Sequence, residues 1–275
     1  KLKEQILRHH HYDDTAYNLE PNIKEGPGGL RDTHMIMWVA QRHFSIRSTD
    51  DLVKLDLLNE DEHRSLILNR SFLWQLRNYL HYLAERREDR LLFEHQRTIA
   101  EHLDYKDKKG SLAVEQFMKR YYRCVKELSI INEILLQLFQ ETILARTKGK
   151  LRPINKYFRT REGFIEAIQN DVFIKTPSAM LKLFLTLQQH PEIKGVRAHT
   201  IRLLRLELHR IDSHYRKDVK NRRLFMEIMR QAQGITKQLR RMNDYGVLGA
   251  YIPGFGKIVG QMQHDLFHVY TVDEH

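Results

Sequence analysis

Apolar residues recur at three- and four-residue steps through most of the chain, the spacing that places them on one face of an α-helix. The longest such pattern runs from about Ser111 to Arg146. Its steps of close to 3.5 residues are typical of antiparallel packing in a helical bundle. The positions on this stripe are Phe117, Tyr121, Val125, Leu128, Ile131, Leu135, Leu138 and Thr142. Shorter patterns predict helices before it at 1–11, 35–44, 50–55, 60–87 and 91–103.

The pattern changes between Lys148 and Pro153, and we place a domain boundary there. Residues 154–158 are expected to be extended, and shorter helices are expected after them. These helices are predicted at 161–169, 177–189, 197–211 and 218–231, with one or two further turns at 234–243. A glycine-rich connector at 245–256 then precedes a last segment, 258–275, that we expect to be helical or nearly so.

The chain contains only 13 Gly and 6 Pro among 275 residues, and this scarcity of helix breakers favours helices over sheets. We therefore predict an all-α fold, in which a helical bundle is followed by a second, smaller helical region. Asn59 is a good N-cap for the helix that begins at Glu60. The single Cys124 excludes a disulfide framework, and no apolar run reaches the roughly 18 residues of a membrane span.

The formal net charge of +11 suits nucleic acid, an anionic surface or a phosphorylated substrate. Lys and Arg are spread over nearly every segment and mixed with acidic residues, which favours solvated helix faces. A basic nucleic-acid-binding module is the alternative, supported by residues 120–123 (RYYR), although Tyr121 lies on the apolar stripe. The chain begins at Lys1 without an initiator Met or a signal peptide, so we expect an internal part of a longer cytoplasmic protein.

A glycine-rich segment at residues 23–32 is the densest turn signal in the chain, and it opens directly onto a helical pattern. Glycines let backbone N–H groups approach a phosphate, and a helix start and cations add positive charge. The candidate phosphate-binding residues are Lys24, Gly26, Gly28, Gly29, Arg31 and Asp32. The spacing is not that of a P-loop. The structural alternative is a tight turn that orients the next helix, with Arg31 and Asp32 in an ion pair.

Residues 18–32 (NLEPNIKEGPGGLRD) closely resemble the segment that follows the nucleotidyltransferase core in the bacterial PII uridylyltransferase/uridylyl-removing enzymes. Glutamine synthetase adenylyltransferase has a looser version of this motif but lacks an HD hydrolase domain. Residues 247–253 (VLGAYIP) and 258–275 resemble the approach to the HD domain of the uridylyltransferases. Two specific motifs in the family's order, more than 200 residues apart, favour the uridylyltransferase family.

The resemblance implies two opposed reactions: transfer of UMP from UTP to a tyrosine of the PII signal protein with Mg²⁺, and hydrolytic removal of that UMP with Mn²⁺ or Mg²⁺. It also implies glutamine as an effector, sensed outside this chain. The chain would comprise the end of the transferase core (1–22), a helical domain (23–150), a helical linker (151–244) and the start of the HD domain (245–275). As cut, it is expected to have neither activity.

The histidines near the end are candidate metal ligands. The resemblance places His275 at the first histidine of an HD site, with the remaining ligands beyond it. His264-Asp265 spells the HD dyad but does not match its place in the family. A local His264 and His268 pair is the alternative, because a four-residue step shares a helix face. The run at residues 9–11 and the pair Asp13-Asp14 are weaker candidates, and we predict a loop or cap role for the pair.

Overall fold

The computed structural model describes residues 2–12, 15–143, 150–263 and 270–275. The chain divides into two compact units. The first unit comprises residues 1–139 together with 258–275, and the second comprises residues 140–257. The second unit is therefore inserted into the first, which takes its last segment from the far end of the chain.

The first unit is built from α-helices that follow the predicted stripes closely. They are α1 (Leu2–His11), α2 (Leu30–Phe44), α3 (Asp50–Lys54), α4 (Glu60–Leu83), α5 (Phe93–His102) and α6 (Ala113–Ile143), whose last residues belong to the second unit. The start of α4 is fixed by a capping box, in which the Asn59 side chain accepts from the Glu62 N–H and the Glu62 side chain accepts from the Asn59 N–H. The predicted cap at Asn59 is confirmed.

The core of the first unit is organised around α6. Phe117, Tyr121, Leu128 and Leu135, which the stripe predicted to share a face, are all buried. Burying a side chain of this size contributes roughly 1.5–3 kcal/mol relative to leaving it exposed. Cys124 is buried beside them, and burial raises the pKa of its thiol to about 12. The apolar face of α6 thus supplies much of the stability of this unit.

The prediction of an all-α fold is wrong for the second unit, which contains a four-stranded sheet. Its strands are β1 (Leu151–Pro153), β2 (Phe158–Arg161), β3 (Phe164–Ala167) and β4 (Gly195–Val196), in that order. The first two pairings are antiparallel and the third is parallel. The helix predicted at 161–169 is a hairpin instead, because Glu162 and Gly163 both have positive φ, +55° and +85°, as a two-residue hairpin turn requires.

Eight α-helices follow β3 within the described residues, with a 3₁₀-helix at Leu208–Arg210 between the third and the fourth. They are α7 (Val172–Lys175), α8 (Ala179–Gln189), α9 (Ala198–Leu206), α10 (Ser213–Lys217), α11 (Val219–Arg230), α12 (Ile235–Asp244), α13 (Val247–Tyr251) and α14 (Pro253–Ile258). The predicted connector at 245–256 therefore contains two short helices. The two helices approach each other at glycines. A Cβ on Gly256 would lie 2.7 Å from the carbonyl oxygen of Gly249, so Gly256 has no room for a side chain, and one on Gly249 would lie 3.1 Å from the Cα of Gly256.

The last segment is not the helix predicted at 258–275, as far as residues 259–263 and 270–275 show. Gly260 has a φ of +68°, which ends the helical path just after α14. Its N–H donates to Oδ1 of Asp273 at 2.9 Å. Tyr270 forms an antiparallel bridge with Asn18, so this segment packs on the beginning of the first unit.

None of the helices in the described ranges combines the length and the apolar character needed to cross a membrane.

Candidate functional site

The glycine-rich segment forms a closed turn whose backbone N–H groups are already used. The N–H of Gly26 donates to the carbonyl of Asn22, that of Gly29 to the carbonyl of Gly26, and that of Arg31 to the carbonyl of Lys24. The Asn22 side chain accepts from the N–H groups of Lys24 and Glu25. Any contact that this segment makes with a phosphate would therefore come from side chains and not from a backbone cradle.

Asp32 takes the position that a bound anion would have at the start of α2. Its side chain is only 1% exposed. Its Oδ2 accepts from the N–H of Gly28 at 2.8 Å, and three side chains of α1 reach the same carboxylate. These side chains are Gln5 (Nε2 to Oδ1, 2.8 Å), Arg8 (Nη2 to Oδ1, 2.6 Å) and His9 (Nε2 to Oδ2, 3.0 Å). The partner of Asp32 is thus Arg8, and not Arg31 as the structural alternative supposed.

These contacts keep the carboxyl group of Asp32 ionised. Burial by itself would raise the pKa of the carboxyl group. Hydrogen bonds and charge from His9 and Arg8 outweigh burial, and the pKa lies below its ordinary value. Asp32 therefore acts as an internal anion that joins α1 to the start of α2.

Lys24 and Arg31 are paired with acidic side chains that the sequence did not single out. Arg31 donates to both oxygens of Glu25, from Nη2 at 2.9 Å and from Nε at 3.2 Å. Lys24 Nζ lies 3.2 Å from Glu25 Oε1 and 3.7 Å from Asp89 Oδ2. Burial opposes the ionisation of Glu25, but Arg31 and Lys24 outweigh it and lower its pKa. The two cations are therefore held at fixed positions on this face.

Beside Arg31 lies a surface that sequence reasoning missed, formed by Arg31, His34, Trp38, Trp74 and Arg77 and called here the aromatic–basic surface. The His34 ring centroid is 6.0 Å from that of Trp38 and 5.7 Å from that of Trp74. Arg31 lies over Trp38 and Arg77 over Trp74, at 5.9 and 5.7 Å. The two tryptophans, the only ones in the chain, are 44% and 37% exposed. Their rarity, with Arg and His at helical spacing, was the available signal.

His34 is held in its neutral form within the aromatic–basic surface. Burial and then the positive charges of Arg31 and Arg70 lower the pKa of its ring. A neutral imidazole can both donate and accept a hydrogen bond. The surface therefore offers flat rings, fixed cations and a neutral polar group, which are the contacts that nucleotides and acidic peptides make.

The hypothesis of a nucleic-acid-binding module depended on exposed aromatic side chains at residues 120–123, and the structure does not support it. Tyr121 and Tyr122 are both buried in the core of the first unit. The Tyr122 hydroxyl donates to the carbonyl of Asn18 at 2.9 Å. The guanidinium of Arg120 lies over the ring of Phe72 at 5.2 Å. Residues 120–123 therefore do not form a stacking surface for bases.

The described residues do not fit a metal ion. Among them, no group of three or more His, Cys, Asp or Glu side chains lies close enough together to hold one. His275 is exposed, its N–H donates to the carbonyl of Thr271, and its ring lies 6.0 Å from that of Tyr270. Its role as a metal ligand stays a prediction. His264, Asp265 and His268, like Asp13 and Asp14, lie outside the described residues.

Two family models match the chain. The model for GlnD PII-uridylyltransferase matches residues 1–136, and the model for the third domain of uridylyltransferase GlnD matches residues 158–251. The first match contains the glycine-rich segment and the aromatic–basic surface. The second contains β2, β3 and most of the helices of the second unit.

Similar proteins align over the whole chain. A bifunctional uridylyltransferase/uridylyl-removing enzyme from Nitrosococcus oceani is 60% identical over 276 aligned positions, and those from Pseudomonas entomophila and Pseudomonas aeruginosa are 51% identical. The alignment covers 100% of this chain but 31% of each relative, so the chain spans about a third of their length. No solved structure matches the chain. The matches to both models in order, together with these identities, show that the chain belongs to the GlnD PII-uridylyltransferase family.

Proposed function

We propose that this chain is the central helical part of an enzyme that transfers UMP from UTP to a tyrosine of the PII signal protein and also removes it by hydrolysis. The observation that carries the proposal is the alignment of the whole chain, at 60% identity, with a relative of that bifunctional name. The two reactions are assigned to the longer protein, because the chain spans only 31% of that relative. By itself the chain is expected to catalyse neither reaction.

On this proposal most ligands of the metal ions belong to other parts of the longer protein, and His275 supplies the first histidine of the HD site. Mg²⁺ would support transfer, and Mg²⁺ or Mn²⁺ would support hydrolysis at the HD site. No catalytic step is assigned to this chain, because the resemblance places the transferase carboxylates and the remaining HD ligands outside it. Glutamine as an effector, sensed elsewhere, is part of the same proposal.

The role proposed for the glycine-rich segment is to present Lys24 and Arg31 to the triphosphate of UTP. The support is geometric: Glu25 fixes both cations, and Arg31 borders an exposed pair of tryptophans. Arginine binds phosphate through a planar fork of donors, and a base can stack on an aromatic ring. The hydrogen bonds between the buried Asp32 and side chains of α1 would hold this arrangement at a fixed position relative to α1.

Arg31→Ala in the longer protein tests this role. We expect it to reduce UMP transfer to PII by about tenfold or more, the usual effect of losing a charged phosphate contact, and to change UMP removal by less than twofold. Both rates can be measured with labelled UTP and with uridylylated PII. Arg64→Ala is the matched control, because Arg64 is an exposed arginine of the same unit with a long 3.8 Å ion pair to Asp61.

Equal loss of both activities in Arg31→Ala would contradict the local assignment and indicate a folding role for the ion pair with Glu25. Absence of both reactions in the unmodified longer protein would instead overturn the proposed function of the whole enzyme. The two failures are distinguishable because only the second affects the unmodified protein.

A further inference from the structure

The second unit contains a cleft of about 650 Å³ that the proposed function does not use. Its wall is formed by the connection between β1 and β2 at Tyr157, the residues before α8, and the region from Arg210 to Asn221 that includes α10 and the start of α11. This volume is within the range of roughly 300–1,000 Å³ typical of small-molecule sites.

Basic side chains dominate the charge of this cleft. Lys217 and Lys220 lie in its wall, and neither has an ion-pair partner within the part of the chain that the structure describes. The acidic side chains of the wall are already engaged at helix starts. Asp212 accepts from the N–H of Tyr215 at 2.8 Å, and Asp218 accepts from the N–H of Lys220 at 2.7 Å. Both carboxylates keep their charge, but Lys175, Arg210, Lys217 and Lys220 outnumber them among the residues of the wall.

The same wall contains two buried polar atoms that lack hydrogen-bond partners among the described residues: Oδ1 of Asn221 and Oγ of Ser178. Asn221 is 3% exposed and Ser178 is 7% exposed. The amide nitrogen of Asn221 donates to the carbonyl of Tyr215, which fixes the orientation of the side chain. Buried polar groups without partners are rare in native proteins, because each loses its bonds to water without compensation. Of the eight such atoms among the described residues, two belong to residues that line this one cleft, and a ligand bound there would complete them.

Lys156 and Lys182, which both lie close to the ring of Tyr157, add positive potential at the edge of the cleft. Their ammonium groups lie 5.1 and 4.9 Å from the centre of the Tyr157 ring. Burial by itself would raise the pKa of the phenol, but these two lysines and Lys220 outweigh it and lower the pKa. An anion bound beside Tyr157 would therefore meet positive charge from Lys156, Lys182 and Lys220.

We propose that this cleft binds a small phosphate ester whose phosphate is held by Lys217 and Lys220 and whose hydroxyl or amino groups meet Asn221 and Ser178. The lysines supply charge for the phosphate. The carboxamide oxygen of Asn221 requires a donor, and the hydroxyl of Ser178 can donate or accept. Inorganic phosphate satisfies the first requirement only, and a phosphorylated ribose satisfies both.

Isothermal titration of the chain with UMP, ribose 5-phosphate and inorganic phosphate, at one ionic strength, tests the proposal. We expect saturable binding of the two esters. The affinity for inorganic phosphate should be about tenfold lower, because it cannot make the hydrogen bonds to Asn221 and Ser178 as well. Equal affinity for UMP and ribose 5-phosphate would show that the cleft contacts only the sugar phosphate. Tighter binding of UMP would show that the cleft also contacts the base. Absence of saturable binding by both esters would overturn the proposal.

A double variant, Lys217→Gln with Lys220→Gln, is expected to weaken ester binding by about tenfold or more. Lys237→Gln is the matched control, because Lys237 is an exposed lysine of the same unit that does not line the cleft. It should change the affinity by less than twofold. If the control weakens binding as much as the double variant, the binding is unspecific charge attraction and the proposal is wrong.

Ser178→Ala separates a ligand contact from a merely structural group. We expect it to weaken ester binding by about fivefold, the usual effect of losing one hydrogen bond, while the melting temperature of the ligand-free chain stays equal or rises. The rise would come from removing a buried hydroxyl that has no partner in the free state. Unchanged affinity in this variant would show that the hydroxyl does not contact the ligand and would overturn the proposed wall.

Discussion

At the scale of single residues, Gly28 is the position where the backbone itself makes a contact that a side chain would prevent. Its φ is +71°, a value that residues with a side chain rarely adopt. A Cβ added to Gly28 would lie 2.2 Å from the carbonyl oxygen of Val125 on α6. The glycine-rich turn is therefore pressed directly against the central helix of the first unit.

Gly28→Ala is expected to lower the free energy of unfolding by about 3–5 kcal/mol, from the left-handed conformation and from overlap with a carbonyl of α6. Gly110→Ala is the control, because Gly110 also has a positive φ, +82°, but nothing within 4 Å of the added Cβ. It should lower the free energy of unfolding by about 1 kcal/mol. Urea denaturation of both variants measures the difference, and equal effects would show that contact with α6 does not matter.

The sequence predicted the turn at this site but not the partners of its charged residues. Three glycines around a proline indicate a tight turn from local chemistry alone. The partners of Asp32 lie on α1, 23 to 27 positions earlier, so they depend on how that helix packs. The ion pair between Arg31 and Glu25 likewise requires the closed turn to exist first. Local patterns carry no information on such contacts.

At the scale of elements, the Asp32 carboxylate fastens α1 to α2 through Gln5, Arg8 and His9. The lowered pKa of Asp32 means that its charged form is favoured by folding. A carboxyl group of this kind stabilises the folded state above its unfolded pKa of about 4, and the stabilisation is lost as the pH falls through the lower folded value.

Asp32→Asn is expected to lower the free energy of unfolding at pH 7 by about 3 kcal/mol, because it removes the closest and most buried of the three carboxylates that pair with Arg8. The deficit should shrink as the pH falls from about 4 through the lower folded pKa, because the unmodified chain then loses the stabilisation that charged Asp32 provides. Denaturant titrations between pH 7 and pH 3 measure both effects. Asp61→Asn, at an exposed position, is the control and should change stability by less than about 0.5 kcal/mol.

The sequence predicted long elements better than short ones. The helices of the first unit were predicted well because their apolar stripes extend over many turns. The hairpin of β2 and β3 also matches a helical pattern, because Phe164, Ile165 and Ile168 satisfy helical steps over so short a length. Glu162-Gly163 was the overlooked turn signal, since glycine readily adopts the positive φ of a hairpin turn.

At the scale of the whole molecule, the first unit is completed by residues from the other end of the chain. The N–H of Thr271 donates to the carbonyl of Tyr17 at 3.2 Å. Gly260 lies against Tyr122, since a Cβ there would be 3.0 Å from the Cβ of Tyr122. Met262 and Thr271 are both buried. Residues 258–275 are therefore part of the packing of this unit, although they follow the second unit in sequence.

Truncation after Ile258 is expected to destabilise the first unit by about 2–4 kcal/mol, because it removes buried side chains and uncovers Tyr122. Hydrogen exchange followed by mass spectrometry should show faster exchange around Asn18 and Tyr122 and unchanged exchange in residues 150–257. Removal of the exposed His275 alone is the control and should have no measurable effect. Unchanged protection of the first unit after truncation would refute this view of its packing.

The bridge between Asn18 and Tyr270 has a consequence for biosynthesis. A ribosome adds about 5–20 residues per second. Synthesis of the second unit therefore takes on the order of ten seconds, and this time separates the synthesis of the two parts of the first unit. The second unit is continuous and can fold as it emerges. The first must wait with the surface around Tyr122 uncovered, and we expect chaperones to bind the nascent chain there.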